Sequence, residues 1–295
     1  MKQCFLKSFR FFLAGFYFLV IAINTVLVFI PIIVLAIFKL IPIVYVKKKV
    51  RKYLSALAIY WVSFNNVIVN FSTKLEIQQD DQFNLSNARS YIVIANHQSW
   101  LDIVILQTSL HKKVPALKFF IKDQLKWVPI LGLCWWALDF PFMKRYSKSY
   151  LAKHPEKKSE NLVTTKKACE KFKTNPVSIM NFPEGTRITN EKYNKQNPAY
   201  NNFLRPKAGG LAYVMASLGE NIDSVLDVTI SYPVATHSVW DLFCGRVSKV
   251  KVHIRKISIP TGFYIIKPYQ TKGMKEFQSW LNGIWAEKDQ IFDEL

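Results

Sequence analysis

A histidine and a carboxylate five residues apart interrupt an otherwise apolar segment of this sequence. The segment is ANHQSWLDIVIL, residues 95–106, in which His97 and Asp102 follow the apolar run YIVIA. An imidazole can take a proton from a hydroxyl group when a carboxylate accepts a hydrogen bond from its other ring nitrogen. The pair therefore fits a general base and its orienting residue. A structural histidine followed by a carboxylate in the first turn of a helix fits the same residues.

Helix geometry decides whether these two side chains can meet. Residues five apart in a regular helix point about 140° away from each other. The pair can therefore meet only if His97 lies before the helix begins. We interpret YIVIA (91–95) as a buried strand, Asn96 and His97 as a turn, and the residues from Leu101 onward as a helix. This places His97 at the carboxyl edge of a sheet, where ligands bind in open α/β folds.

A second motif, NFPEGTR (181–187), also follows a predicted strand. It offers a turn with Pro183 and Gly185, a hydroxyl group on Thr186 and a guanidinium on Arg187. Arginine binds phosphate oxygens in a bidentate manner, and backbone amides of such a turn can add to an anion site. Without further context, a structural Pro-Gly turn with an ion pair is the commoner meaning of these letters.

Strands and helices alternate around the two motifs. This alternation predicts an α/β fold, a mixed sheet covered by helices. The predicted strands are YIVIA (91–95), VSIMNF (177–182), VLDVTISYP (225–233) and the alternating, half-exposed KVKVHIRKI (249–257) near a sheet edge. The predicted helices are Leu101–Leu110, Leu151–Phe172, Pro206–Leu218 and an amphipathic helix at the C-terminal end.

The N-terminal part of the chain has the composition of a membrane anchor. No charged residue occurs from Phe11 to Phe38, and a helix of this length spans about 42 Å, more than the roughly 30 Å hydrocarbon core. Basic residues flank both ends, which favours a helical hairpin that breaks near Asn24 or Pro31 and keeps both ends on the cytoplasmic side. A single tilted transmembrane helix is the alternative. We therefore predict an anchor at 1–52 and one domain at 53–295.

The charge balance indicates an anionic partner. The chain carries 40 Lys and Arg against 20 Asp and Glu, a formal charge of +20. With a membrane anchor present, anionic membrane lipids and a phosphate-bearing substrate are the expected partners, and nucleic acid is not. The four cysteines are far apart and the remaining histidines have no ligand spacing, so reduced thiols and no metal site are expected.

The two motifs together resemble the glycerolipid acyltransferase family, which includes 1-acyl-glycerol-3-phosphate and other lysophospholipid acyltransferases. N-H-x-S-x-x-D is followed by F-P-E-G-T-R in the family's order, and the likeness covers roughly residues 85–235. PFMKR, LKFFIKDQLKWVPILG and VTISYP resemble further blocks of the family. The sequence looks closest to the bacterial YihG-type branch in the segments ANHQSWLDIVIL, WALDFPFMKR, RPKAGG and LFCGR and in the late W-x-E-K-D. The resemblance implies a glycerol-3-phosphate acyltransferase-like fold.

The resemblance also implies roles for individual residues. His97 would deprotonate a glycerol hydroxyl, which attacks the thioester of acyl-CoA or acyl-carrier protein, and Asp102 would orient the histidine. The residues matching the acceptor-binding block are Glu184, Gly185, Thr186 and Arg187, with Arg145 and Lys122 as assisting basic positions. Beyond the acyl donor, which is a substrate, no cofactor is needed. The acceptor would be lysophosphatidate, giving phosphatidate, or another lysophospholipid.

Several alternatives remain open from the sequence. A non-catalytic, anionic-lipid-binding membrane protein would share the charge and the anchor but would be indifferent to His97. A serine hydrolase is disfavoured because the chain has no G-x-S-x-G. The Trp-rich segment at 127–140 fits either core or an apolar surface for an acyl chain or the bilayer. Lys207 fits a further contact of the acceptor site, but a solvated lysine at a helix start is the commoner role. The expected location is the bacterial inner membrane, with the domain facing the cytoplasm.

Overall fold

The fold was analysed in a computed structural model of the chain. The residues it describes are 2–79, 83–143, 163, 165–167, 169–170, 172, 175–196, 199–233, 238–264 and 270–295. Most of the helix predicted at Leu151–Phe172, and Arg145, lie outside these residues.

Two long helices form the N-terminal part of the chain. Helix α1 spans Lys2–Phe38 and α2 spans Val44–Ser72. They pack side by side through a small apolar cluster that includes Val28 and Ile32 of α1 and Leu54 of α2. In the described residues both are long and apolar enough to cross a membrane by length and composition. The division predicted at residue 52 falls within α2 and stays a prediction.

The hairpin prediction was right about a reversal but wrong about its place. Helix α1 continues through Asn24 and Pro31, and the chain reverses at residues 39–43. The polar side chain of Asn24 is accommodated within the helix pair, because its amide donates to Asn65 Oδ1 of α2 at 3.0 Å. Pro31 removes only one helical hydrogen bond, which apolar helices tolerate. The reversal instead contains Pro42, whose ring disfavours helix at the preceding residue.

A six-stranded mixed sheet forms the centre of the domain. Its strands in spatial order are β1 (Lys74–Gln79), β8 (Lys249–Ile257), β7 (Ile222–Ser231), β2 (Ser90–Ala95), β6 (Ser178–Asn181) and β3 (Leu117–Phe119). Only β7 and β8 pair antiparallel among these neighbours. Strands β4 (Ile121–Lys122) and β5 (Phe142–Met143) form a separate pair. The predicted strands near 91, 178, 225 and 249 are therefore confirmed.

Helices cover both faces of this sheet. Further helices are α3 (Leu101–Leu110), α4 (Leu131–Ala137), α5 (Asn190–Lys195), α6 (Ala208–Leu218), α7 (Val239–Phe243) and α8 (Thr271–Glu294). Strand β2 is buried along its whole length. Tyr91 and Val93 share a core with α3, whereas Ile92 and Ile94 share one with α6 and α8. Burial on both faces of the sheet explains why the sequence of β2 is a continuous apolar run. The predicted mixed α/β fold is confirmed.

The Trp-rich segment 127–140 lies beside the helix pair rather than in the core. Trp127 is 80% exposed, and Leu133 and Trp136 are also exposed. The end of the segment is tied to the reversal between α1 and α2, since Lys39 Nζ donates to the Ala137 carbonyl at 2.7 Å. The segment therefore extends the exposed apolar surface of the helix pair.

Candidate active site

The turn after β2 brings the histidine and the aspartate together. His97 Nδ1 lies 2.8 Å from Asp102 Oδ2, because α3 begins only at Leu101 and leaves His97 outside the helix. The same oxygen accepts the backbone N–H groups of Gln98 at 2.6 Å and Ser99 at 2.9 Å. An ionised carboxylate only accepts hydrogen bonds. The ring therefore donates from Nδ1, which leaves Nε2 as the nitrogen able to take a proton.

A tyrosine that the sequence analysis missed completes the environment of this carboxylate. Tyr232, just after β7, donates its hydroxyl to Asp102 Oδ1 at 2.7 Å. Burial and the Asp102 charge raise the pKa of Tyr232 well above its usual value, so the hydroxyl keeps its proton. Asp102 itself is fully buried. Its negative charge is thus stabilised by hydrogen bonds on both oxygens.

Asn96 fixes the start of the turn to the sheet. Its side chain donates to the Ile230 carbonyl at 2.9 Å and accepts the Ile230 N–H at 2.9 Å, as a strand residue of β2 would. Gln98 Nε2 donates to the same carbonyl at 2.9 Å. These bonds extend the β2 to β7 pairing by one residue. They fix the position at which the chain leaves the sheet, and therefore the position of His97.

The two sequence motifs lock together around His97. Its ring stacks on Phe182 with centroids 3.9 Å apart and planes 13° apart. Its backbone N–H donates to Glu184 Oε1 at 3.0 Å, and its carbonyl accepts the Ile188 N–H at 2.9 Å. The side chain is still 16% exposed. The imidazole is therefore held on one face and accessible on another.

Glu184 ties backbone segments together from inside the protein. It is fully buried, and its second oxygen accepts the Leu204 N–H at 3.3 Å. Burial raises the pKa of Glu184 to about 8, against the opposing effect of the His97 and Leu204 hydrogen bonds. The Glu184 side chain, which the family resemblance assigned to acceptor binding, thus accepts hydrogen bonds from the protein's own backbone.

Gly185 and Thr186 lie between two lysines. Gly185 has a φ of +72°, a conformation that side chains with a Cβ rarely adopt. A Cβ built there would lie 3.4 Å from Lys207 Nζ, so this ammonium group approaches the turn closely. Thr186 Oγ1 accepts a hydrogen bond from Lys192 Nζ at 2.7 Å. Lys207 is solvent-exposed, as expected from the sequence, but it faces the motif.

Arg187 extends the cationic surface toward the start of α3. Its guanidinium carbon lies 5.3 Å from the ring centroid of Trp100, which is itself 65% exposed. Within the described part of the chain, no carboxylate pairs with Arg187 or Lys207. Cations without a protein counter-charge, beside an aromatic ring, are available to an anionic ligand.

The structure does not join Lys122 to this cluster. Lys122 is exposed on β4, and no hydrogen bond or ion pair among the described residues joins it to His97 or Asp102. Arg145 lies outside the described residues. In the described ranges there is also no group of three His, Cys, Asp or Glu side chains suited to holding a metal ion.

A buried charge network supports the site from beneath. Lys288 of α8 is fully buried, and its ammonium group lies 2.7 Å from Asp227 Oδ1 and 2.7 Å from the Val228 carbonyl. The other Asp227 oxygen pairs with Arg255 at 2.8 Å. Burial lowers the pKa of Lys288, while Asp227 opposes that change. The positive charge of Lys288 in turn favours ionisation of Glu184.

Helix α8 also forms hydrogen bonds with the loop that contains Leu204 and Lys207. Asp289 accepts the backbone N–H of Asn201 at 2.6 Å and that of Asn202 at 2.9 Å. The sequence analysis included these C-terminal acidic and basic residues only in a resemblance. The run of charges at Glu287, Lys288 and Asp289 within a predicted amphipathic helix was the available signal.

The α/β sheet carries a histidine and an aspartate at its carboxyl edge, beside cations that pair with no carboxylate in the described part of the chain. This arrangement defines a candidate site for chemistry on a phosphate-bearing molecule. The model of the Acyltransferase family matches residues 75–236, more than half of the chain. The chain belongs to this family. The match contains both motifs, together with Tyr232.

Several curated relatives carry more particular names. The chain is 27% identical over 218 residues to the probable 1-acyl-sn-glycerol-3-phosphate acyltransferase 5 of Arabidopsis thaliana, with 69% of this chain and 53% of that protein covered. It is 25% identical over 246 residues to the 2-acyl-1-lysophosphatidylinositol acyltransferase of Saccharomyces cerevisiae, with 68% and 60% covered. Mouse lysocardiolipin acyltransferase 1 is 24% identical over 216 residues, with 68% and 52% covered. The chain thus spans little more than half the length of these relatives.

A solved structure shares the fold over nearly the whole chain. It is the crystal structure of the 1-acyl-sn-glycerophosphate (LPA) acyltransferase PlsC from Thermotoga maritima, with a TM-score of 0.56 and 20% identity. The likeness covers 97% of this chain and 98% of that one. This supports the fold, including the N-terminal helices. The likeness to the YihG-type branch stays a prediction.

Proposed function

We propose that the protein transfers an acyl chain from a thioester donor to the free hydroxyl group of a lysophospholipid. The observation that carries this proposal is the His97 to Asp102 hydrogen bond of 2.8 Å, beside Arg187, a cation that pairs with no carboxylate among the described residues. A general base next to a phosphate-binding group suits an acceptor that has both a hydroxyl and a phosphate. Membership of the Acyltransferase family agrees with this chemistry.

In the proposed mechanism, Asp102 accepts the hydrogen bond from His97 Nδ1 and fixes the tautomer in which Nε2 is unprotonated. Nε2 takes the proton of the acceptor hydroxyl as its oxygen attacks the thioester carbonyl carbon. The tetrahedral intermediate then collapses, the carbon–sulfur bond breaks, and the departing thiolate takes the proton from Nε2. The stacking of Phe182 on the ring keeps Nε2 in one place throughout, which lowers the cost of reaching the transition state.

The acceptor phosphate would bind Arg187 and Lys207, whose charges have no carboxylate partner in the described structure. Gly185 lets the backbone of the turn approach that phosphate. We take lysophosphatidate as the acceptor and phosphatidate as the product. Lysophosphatidylinositol and lysocardiolipin are the alternatives, because relatives of the chain are named for those acceptors. The donor is acyl-CoA or acyl-carrier protein, with Lys122 and Arg145 as further proposed contacts.

The proposed reaction takes place at a membrane surface. Helices α1 and α2 expose apolar side chains along most of their lengths. A membrane position keeps a hydrophobic acceptor and the growing product in the lipid phase, while the basic flanks face anionic lipids. We propose the cytoplasmic face of a bacterial inner membrane for the domain that follows the anchor at 1–52.

The test is acyl transfer by the purified full chain in detergent. Labelled acyl-CoA and acyl-carrier protein would each be offered with lysophosphatidate, lysophosphatidylinositol and monolysocardiolipin. Labelled phosphatidate as the main product supports the proposal. Transfer to another lysolipid changes the acceptor, and no transfer with any pair contradicts the proposed activity.

An arginine substitution tests the phosphate contact separately. Arg187→Gln should lower kcat/KM for lysophosphatidate by roughly 10- to 100-fold, the worth of a charge-assisted hydrogen bond. Arg89→Gln is the matched control, since Arg89 is exposed and pairs with Asp223 instead. Equal effects of the two substitutions would refute the assignment of Arg187 to the acceptor phosphate.

A further inference from the structure

A cationic cavity lies between α2, α3 and the edge strand β1, away from the catalytic pair. Its volume is about 570 Å³. Three lysines line it, namely Lys74, Lys112 and Lys113, together with side-chain amides and hydroxyls. Lys74 lies 3.5 Å from Glu76, and among the described residues no carboxylate lines the cavity itself. Hydrogen-bond donors and positive charges around an open space favour an anion.

Two buried hydroxyl groups at this cavity have no partner. Thr73 is 6% exposed and Ser109 is 0% exposed, and within the described structure neither side-chain oxygen makes a hydrogen bond. Buried polar groups without partners are uncommon and costly. Both residues line the cavity, and their hydroxyl oxygens are buried in its wall.

The turn after α3 holds the lysines in place. Lys112 has a φ of +60°, and its carbonyl accepts the Asn87 side-chain amide at 2.6 Å. In the described ranges Lys112 and Lys113 form no ion pair. His111 bonds to Ser63 at 2.7 Å, and burial followed by the Lys112 charge lowers its pKa. The positive charge at the turn therefore belongs to the lysines.

An apolar rim adjoins these polar groups. Val67 and Ile77 line the cavity and are exposed, and Phe71, on the same helix as Val67, is 79% exposed. Helix α2 is one of the two candidate membrane helices. A ligand that bears a phosphate and hydrocarbon chains would satisfy the cavity and the rim together.

We propose that this cavity binds the headgroup phosphate of an anionic membrane phospholipid, at a site separate from the catalytic centre. Ser109 lies seven residues beyond Asp102 on α3, about 10 Å along the helix axis. The lysines disfavour a zwitterionic lipid, because its own cation would approach theirs. Bound lipid would fix the angle between α2 and the domain at the membrane surface.

The test compares lipid binding by two lysine-pair variants of the full chain. Lys112→Gln with Lys113→Gln removes two charges at the cavity. Lys166→Gln with Lys167→Gln is the matched control, an adjacent exposed pair that does not line it. Native mass spectrometry of the detergent-solubilised proteins would measure binding of phosphatidylglycerol, of phosphatidylcholine and of phosphatidylglycerol in competition with inorganic phosphate.

The proposal expects roughly 10- to 30-fold weaker phosphatidylglycerol binding for the cavity pair than for the control pair. It also expects little difference for phosphatidylcholine and equal thermal midpoints of the two variants without lipid. Equal phosphatidylglycerol affinities would overturn the site. Full competition by inorganic phosphate at the concentration of the lipid would overturn its assignment to a lipid. Binding is measured without turnover, so a failure of the proposed acyl transfer would leave this test readable.

Discussion

Replacing Glu184 with glutamine should remove a pH dependence of stability that the fold builds in. Glu184 is fully buried, and burial raises its pKa from 4.5 to about 8. Between these values the folded protein binds more protons than the unfolded chain, so stability is highest at low pH and falls as the pH rises. Glutamine is nearly isosteric and does not titrate. Glu184→Gln should therefore lose this dependence.

The size of the effect follows from the pKa values. Linkage gives a loss of roughly 3.5 kcal/mol in the free energy of unfolding of the wild type between pH 5 and pH 8. An unfolding entropy of about 2.1 cal/mol/K per residue converts this, over 295 residues, into about 5 to 6 °C. The difference in thermal midpoint between wild type and Glu184→Gln should change by this amount across the range, in favour of the variant at pH 8.

The assay is thermal unfolding of the two detergent-solubilised proteins, followed by tryptophan fluorescence at pH 5, 6, 7 and 8. The other titrating groups are common to both proteins and cancel in the difference. Glu191→Gln is the control for the loss of one carboxylate, since Glu191 is exposed on α5. Parallel midpoint curves for wild type and Glu184→Gln would refute the reasoning.

Three further substitutions test the supports of the site. Tyr232→Phe removes the hydroxyl that donates to Asp102 at 2.7 Å, so acyl transfer should fall by roughly tenfold while the thermal midpoint changes little; unchanged kcat would contradict this. Lys288→Met leaves the buried Asp227 carboxylate without one cation and should cost about 3 to 5 kcal/mol, seen as a midpoint lowered by roughly 5 to 8 °C; an unchanged midpoint would argue against the network. Gly185→Ala forces a Cβ into a φ of +72° and should cost about 1 to 2 kcal/mol, so a stability within error of wild type would be inconsistent with this turn.

Much of the fold could be predicted from local patterns. The strand YIVIA is a short apolar run that ends at the polar residues after Ala95, and this junction placed His97 before the helix. Helix geometry then predicted that Asp102 could reach it, and the structure has the two at 2.8 Å. The C-terminal helix was also predictable, since Phe277, Leu281 and Trp285 recur at helical spacing and are buried.

The supports of the site could not be predicted because they depend on distant parts of the chain. Tyr232 reaches Asp102 from 130 residues away, through the pairing of β7 with β2. The burial of Lys288 also depends on a distant part of the chain, because its ammonium group donates to the Val228 carbonyl in the sheet. The turn of the hairpin was misplaced for a similar reason, because Asn24 was taken as a point where the helix breaks, whereas its side chain has a partner on the second helix.

The most direct test of the proposed function is the effect of His97 on acyl transfer. Wild type and His97→Ala would be compared for formation of labelled phosphatidate from lysophosphatidate and acyl-CoA, at equal protein concentration and with thermal midpoints measured in parallel. The proposed mechanism predicts transfer by the wild type and a loss of at least about 100-fold in a folded His97→Ala protein. Transfer by folded His97→Ala at the wild-type rate would contradict the role of His97 as the base.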